Sequence, residues 1–261
     1  MRPAVDVVVP HAGTRTDLHA GLALRDGDSL VVERDPARTG SYATRNRGAA
    51  RGRAPWIVFL DDDVDAPADL LDRLLEPPPG ERTGVIAGGV RVAAGTSAAA
   101  RFAAARGLIA QETTAGRERW AFAQTACCAV RRAAFEAVGG FREVRSGGDA
   151  DLCWRLAGAG WALERREAAA VEHRPRERVG ALLRQLARHG AGAAWLEREH
   201  PGSFPARRKP GLAWWSVNRA GAGVRALARG ERDEGVAALL DGPATWAFEL
   251  GRLAPNQTRR R

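Results

Sequence analysis

Short apolar runs recur along the first two-thirds of the chain, separated by polar or glycine-rich segments. Residues 5–10 (VDVVVP) predict a first buried strand, closed by Pro10. Residues 17–25 carry Leu18, Leu22 and Leu24 and predict a short helix. Residues 29–33 (SLVVE) predict a second strand. Residues 39–52 predict a helix that packs Ala43, Ala49 and Ala50 on a sheet and projects Arg45, Arg47 and Arg51. Residues 57–60 (IVFL) predict a third strand, buried on both faces because its apolar run is unbroken. A helix over 69–75 follows, stopped by three prolines, then a strand over 84–92. Residues 98–119 are alanine-rich and predict no clear element. A strand over 122–130, a helix over 131–138, a helix running through Leu156, and strand with loop over 161–171 complete the series. Alternation of this kind predicts an α/β fold of βαβ units with a mainly parallel sheet.

From residue 175 the texture changes. Residues 179–196 are helical in pattern. Pro201, Pro205 and Pro210, around Arg207, Arg208 and Lys209, mark a basic linker. Residues 212–253 are helical again, with Trp214, Trp215 and Trp246.

Composition narrows the partners. A hydrophobic fraction of 45% suits a chain with a real core. The net charge of +9 is carried almost wholly by arginine, Lys209 being the one lysine, and it suggests anionic partners. Cys127, Cys128 and Cys153 form neither a disulfide framework nor a metal-ligand spacing and are expected as small buried groups in a reducing setting. No run approaches the ~18 apolar residues of a bilayer span. The chain enters a strand at once, so no secretory signal is expected. The expectation is a cytoplasmic protein, with peripheral contact at the inner face of the cell membrane a candidate role for the C-terminal helices.

The candidate chemistry begins where the third strand stops. Asp61, Asp62 and Asp63 follow it directly. Three adjacent carboxylates repel one another and cannot share an uncompensated buried site. They belong at the open end of the strand, where α/β sheets bind ligands. Two readings stand at this point: an acidic turn in water, or a cation site.

Five stretches in order change that balance: VDVVVP, SYATRNRGAARGRAPWIVFLDDDV, QTACCAVRRAAFEAVGGFREV, GGDADLCWRLAGAGW and AAAVEHRP. Together they resemble the family 2 glycosyltransferases, which share the Rossmann-like GT-A fold, over about two-thirds of the chain. The resemblance implies a GT-A catalytic domain over residues 1–175, a helical extension over 176–261, and a metal-dependent, inverting transfer from a nucleotide sugar to an acceptor hydroxyl. The cofactor implied is Mn²⁺ or Mg²⁺, a hard cation held by one or two carboxylates beside phosphate and water. Asp61 and Asp63 fall at the family's DxD motif. Asp63 is expected to coordinate the ion, Asp61 to share in this or to face the ribose, and Asp62 to lie with the donor. His173 matches a residue that in some relatives ligates the metal or meets the diphosphate. Asp149 matches the carboxylate of the family's "ED" pair, the general base, with Gly148 in place of the glutamate. Its alternative is a helix N-cap, which would lower its pKa. Arg45 matches a segment near the nucleotide, against the alternative of a solvated basic face. Gly140 and Phe141 match the turn that shapes the acceptor pocket. Asp151, Trp154 and Arg155 belong to an acceptor-side segment, although Asp151 and Arg155 also have the spacing of a surface ion pair. Arg184, Gln185 and Arg188 are candidates to line the diphosphate.

The chain departs from the family in two places. Pro10 is followed by His11 where relatives show an aromatic and an asparagine. Glu33 and Asp35 replace paired aspartates, and either is a candidate for the base or ribose. The expected partners are a nucleotide-sugar donor and a glycan or lipid-linked acceptor of the cell envelope, and no nucleic acid. A nucleotidyltransferase, or a basic anion- or membrane-binding module with an inactive core, are the competing functions.

Overall fold

The computed structural model describes residues 1–14, 17–37, 39–207 and 209–258. In chain order the elements are β1 (Val5–His11), β2 (Ser29–Arg34), α1 (Ser41–Ala49), β3 (Trp56–Leu60), β4 (Val64–Asp65), α2 (Leu70–Leu75), β5 (Thr83–Val92) and α3 (Ala98–Ala105). Then come α4 (Glu112–Ala115), β6 (Cys127–Arg131), α5 (Arg132–Ala137), α6 (Gly148–Gly158), β7 (Ala162–His173), α7 (Val179–Glu199), α8 (Lys209–Ala228) and α9 (Arg232–Gly251).

The chain divides into two compact units. The first comprises Met1–Arg91, Ala110–Arg174 and Gln257–Arg261; the second comprises Val92–Ile109 and Pro175–Asn256. Residues 98–119, which the apolar pattern did not place, are thus shared between them: α3 belongs to the helical unit and α4 to the sheet unit.

Among the described residues the strands of the first unit form one seven-stranded sheet, in the order β2-β1-β3-β6-β5-β7-β4. Parallel pairing joins β2, β1 and β3, while β6 runs antiparallel to both β3 and β5, and β4 antiparallel to β7. The mainly parallel sheet expected from the alternation is therefore a mixed one. Apolar runs report burial and not direction, so the reversal at β6 leaves no trace in the hydrophobic pattern. All five residues of β3 are buried. The first five residues of β1 are buried, and among them is Asp6, whose carboxylate accepts from Arg132, from Ser29 and from the Ala54 amide.

Three boundaries differ from expectation. Residues 17–25 form turns, not a helix: His19 takes a positive φ of 57°, which interrupts helical backbone, and Leu24 stays exposed. The strand expected over 122–130 begins at Cys127. The long helical pattern over 212–253 breaks into α8 and α9 around Gly230, whose φ of 80° favours glycine.

The second unit is helical. Ala99, Phe102, Leu182, Leu186, Ala237 and Ala244 form its core. α7 and α9 approach closely through glycine: a Cβ on Gly190 would fall 1.9 Å from the Phe248 carbonyl oxygen, and one on Gly251 would fall 2.0 Å from that of Ala187. Among the described residues, no helix is long and apolar enough to cross a membrane.

Candidate active site

β3 delivers the acid triplet to the end of the sheet. Its last residue, Leu60, is fully buried, whereas the side chains of Asp61, Asp62 and Asp63 are 29%, 36% and 27% exposed. Each is met by a different cationic or imidazole group. Arg45, reaching up from α1 and almost wholly buried, bonds the Asp61 carboxylate. The alternative of a solvated basic face is thereby overturned for Arg45. His11 Nδ1 lies 2.5 Å from Asp62 Oδ2. His173 Nε2 lies 3.3 Å from Asp63 Oδ1. His19 Nε2 donates to the Asp61 carbonyl at 2.9 Å, an oxygen that can only accept. Three of the chain's five histidines thus surround three consecutive aspartates.

The short strand β4 explains why His173 arrives there. Val64 and Asp65 pair antiparallel with His173 and Glu172, and the Arg174 amide donates to the Asp63 carbonyl at 3.0 Å. The triplet is pinned between β3 and β4, so its geometry depends on β7, which is remote in sequence.

Asp149 occupies the first turn of α6. Gly147, with a φ of 86°, takes the N-cap position, so Asp149 is not the cap that its place in the sequence suggested. Its Oδ1 accepts from the Tyr42 hydroxyl at 3.1 Å and from the Ala150 amide at 3.0 Å. The carboxyl is partly accessible, yet burial raises its pKa above the ordinary aspartate value. The bonds from Ala150 and Tyr42 and the charge of Arg45 pull the other way without cancelling that desolvation. Burial also raises the Tyr42 phenol, which remains a donor at neutral pH.

Gly148 stands where the family motif carries glutamate, and the structure supplies a reason. A Cβ at this position would lie 2.9 Å from three ring carbons of Tyr42. The ring occupies the space a side chain would need, and its hydroxyl contacts the neighbouring carboxylate.

α1 is the common scaffold. Tyr42, Arg45 and Asn46 share one helical face at i, i+3 and i+4. Tyr42 holds Asp149, Arg45 holds Asp61, and Asn46 makes two bonds to the Phe141 backbone, at 2.8 and 3.0 Å. Phe141 then packs on the rings of Tyr42, Phe59 and Phe135. Neither Tyr42, Asn46, His11 nor His19 carried a role in the sequence reading. A usable signal existed for Tyr42, the only tyrosine of the chain, one helical turn before Arg45.

The remaining candidates have structural uses. Asp151 and Arg155 do pair, at 2.8 Å, but inside the protein and not on a helix surface: Asp151 is fully buried. Arg155 also donates to the Val138 and Gly140 carbonyls at 2.7 Å, which fixes the glycine turn before Phe141. Trp154 donates its indole N–H to the Ala121 carbonyl and packs edge-on against Trp120. Glu33 is buried between Arg47 and Arg51. Asp35 accepts from the Thr39 amide and hydroxyl and from the Gly40 amide, and so shapes the entry to α1. Burial alone would raise the Asp35 pKa, and these bonds bring it below the usual value. Pro10, partly exposed, sits opposite Glu33 at the end of β1. Arg184, Gln185 and Arg188 lie on α7 in the second unit, with Arg184 and Arg188 exposed. All three cysteines are free and buried, and burial pushes the Cys127 thiol up to about 12.

No closed metal cage exists among the described residues, since no three His, Cys, Asp or Glu side chains converge on one point. Asp63 and His173 supply two adjacent donors, and the His173 Nδ1 is buried without a partner. Two protein donors suit an open site whose other positions are filled by water and phosphate oxygens. The residues present therefore fit a hard divalent ion. Asp61 is already committed to Arg45.

Comparison with known proteins bears on the family and the fold. The family model described as "Glycosyltransferase like family 2" matches residues 14–192. The pre-mycofactocin glycosyltransferases of two Mycobacterium tuberculosis strains are each 29% identical over 200 residues, covering 69% of this chain. The chain spans only 43% of the length of these relatives. Among solved structures, the mannosyltransferase PcManGT of Pyrobaculum calidifontis, in complex with GDP-Man and Mn²⁺, shares the fold with a TM-score of 0.57 at 17% identity, over 97% of this chain and 85% of that one. Glucosyl-3-phosphoglycerate synthase of Mycobacterium tuberculosis, in complex with Mn²⁺, UDP-glucose and phosphoglyceric acid, matches with a TM-score of 0.53 at 17% identity, over 75% and 79% of the two chains. The fold is the GT-A fold.

Proposed function

This chain belongs to glycosyltransferase family 2, and from that premise we propose that it moves a sugar from a nucleotide-sugar donor to an acceptor hydroxyl with inversion at the anomeric carbon. The observation that carries this reading is the single face of α1 that holds Asp149 and Asp61 at once. It ties Asp149 to Asp61 through one helix, although 88 positions separate them in sequence.

The chemistry follows from the groups present. Asp149 takes the proton of the acceptor hydroxyl. The freed oxygen bonds to the anomeric carbon, the bond from that carbon to the donor's phosphate oxygen breaks, and the nucleoside diphosphate leaves with the electron pair. A raised pKa makes Asp149 a stronger base than an ordinary aspartate. Tyr42 and the Ala150 amide orient one carboxylate oxygen and leave the other for the acceptor. Asp63 and His173 would hold a divalent ion, which when bound offsets the charge that develops on the leaving diphosphate. Arg45 keeps Asp61 in place beside them. Catalysis and donor binding are assigned to residues 1–175, and the acceptor class to test first is a lipid-linked or cell-envelope glycan.

The test is a screen of UDP-, GDP- and dTDP-sugars for binding and slow hydrolysis with Mn²⁺ or Mg²⁺. Asp63→Ala is expected to weaken metal-dependent donor binding by at least roughly tenfold. If no nucleotide sugar binds with either metal, the assignment fails.

A further inference from the structure

The second unit shows an apolar face that its own fold does not use. α8 packs through Leu212, Gly223 and Ala226. On the opposite side Trp214, Val217 and Val224 are 70%, 65% and 61% exposed. With Gly221 and Ala228 they recur at spacings of three and four, which is one continuous stripe along the helix. Arg225 is exposed on the flank of this stripe.

The charge around the stripe selects its occupant. Residues 200–230 contain Arg207, Arg208, Lys209, Arg219, Arg225 and Arg229 and no aspartate or glutamate. Two of the six are used internally: Arg219 pairs with Glu234 and Asp241, and Arg229 with Glu231. A spacing of three and four also suits a seam between two copies of a helix. Leaving out Arg219 and Arg229, a symmetric pair of these segments would bring eight cations together with no aspartate or glutamate in either segment. An anionic lipid surface meets both demands, since it accepts apolar side chains at the acyl boundary and attracts arginine at the headgroups. Tryptophan at the edge of such a helix suits the same boundary. α8, at 20 residues, is too polar to span a bilayer, so it would lie in the surface.

We propose that α8 is an interfacial helix that docks this protein on an anionic membrane through Trp214, Val217 and Val224. This deepens the lipid-linked or envelope acceptor reading without depending on it, because docking is read in the absence of any donor or acceptor.

The experiment is co-sedimentation of the full chain with vesicles of phosphatidylcholine alone and of phosphatidylcholine mixed with phosphatidylglycerol. Wild type is expected in the pellet only with the mixed vesicles, and less so as salt rises. The double variant Val217→Glu, Val224→Glu is expected to lose at least tenfold in partition while its thermal melt and donor binding stay unchanged. Trp214→Ala serves as a second, gentler variant should the double variant melt early. Absence of binding to the mixed vesicles, or equal binding by the variants, overturns the proposal. So does a wild-type dimer in sedimentation velocity that the double variant converts to monomer, which would assign the stripe to a second copy.

Discussion

The two units depart in opposite ways from apolar groups inside and polar groups outside. Among the described residues, eleven of the fourteen buried polar or charged residues lie in the sheet unit, while seven of the nine exposed large hydrophobics lie in the helical unit. The sheet unit stores charge inside, in pairs such as Asp6 with Arg132 and Asp151 with Arg155. Breaking such a pair leaves an uncompensated buried charge, so these pairs hold a particular geometry more than they add stability. The helical unit leaves apolar surface outside. On the proposed readings, the first pattern goes with a fixed arrangement of carboxylates and the second with a membrane-docking face.

The largest effect that would sharpen this contrast is chemical. Asp149→Asn is expected to lower transfer by roughly 10²–10⁴-fold in a steady-state assay and to leave donor binding intact. The same variant should melt no lower than wild type at neutral pH. The folded pKa of Asp149 lies above its unfolded value, so the fold loses stability as pH rises from the ordinary carboxylate range through that raised value. Asparagine removes the charge responsible. Wild-type transfer by this variant would remove Asp149 from the base role.

Next is the packing around β3. Leu60→Ala, at a fully buried position, is expected to cost about 2–5 kcal/mol in urea unfolding. Gly148→Ala should cost about 1–3 kcal/mol, because its new methyl meets the Tyr42 ring. It should also lower transfer by displacing Tyr42 from Asp149. Equal stability and activity for Gly148→Ala would show that the ring gives way without consequence.

Tyr42→Phe removes one hydrogen bond, worth about 1 kcal/mol. That bond favours the ionised carboxylate, so its loss raises the Asp149 pKa further. The acidic limb of the kcat/KM profile, where transfer rises with pH as Asp149 ionises, should move to higher pH. A limb that stays in place would leave Tyr42 with a packing role alone. The smallest effect belongs to the helical unit: Val224→Ala should change stability by less than about 0.5 kcal/mol. A large loss there would mean that the exposed stripe supports the fold, and the contrast between the units would fail.

Much of the sheet unit was legible in the order of residues. Unbroken β-branched and aromatic runs can only be buried strands at these lengths, and Asp61–Asp63 could only lie where such a strand reaches water. The direction of β6 was not legible, because burial is the same for either direction. The 17–25 turn differs from the expected helix for a related reason: only Leu18 and Leu22 of the leucine pattern are buried, and the positive φ of His19 decided the backbone.

The sequence by itself determined the acid triplet, the place of Asp149 near a helix start and the family order that relates them. Each rests on local chemistry: repulsion among neighbouring carboxylates, or a motif of a few residues. Only the tertiary structure decided that Tyr42 and Arg45, one turn apart on α1, hold Asp149 and Asp61. It also decided that Asp151 is buried, that Gly148 makes room for a ring, and that Trp214 faces water. Those outcomes depend on which distant segments share a desolvated space, and pair energies there are set by geometry that spacing along the chain does not encode.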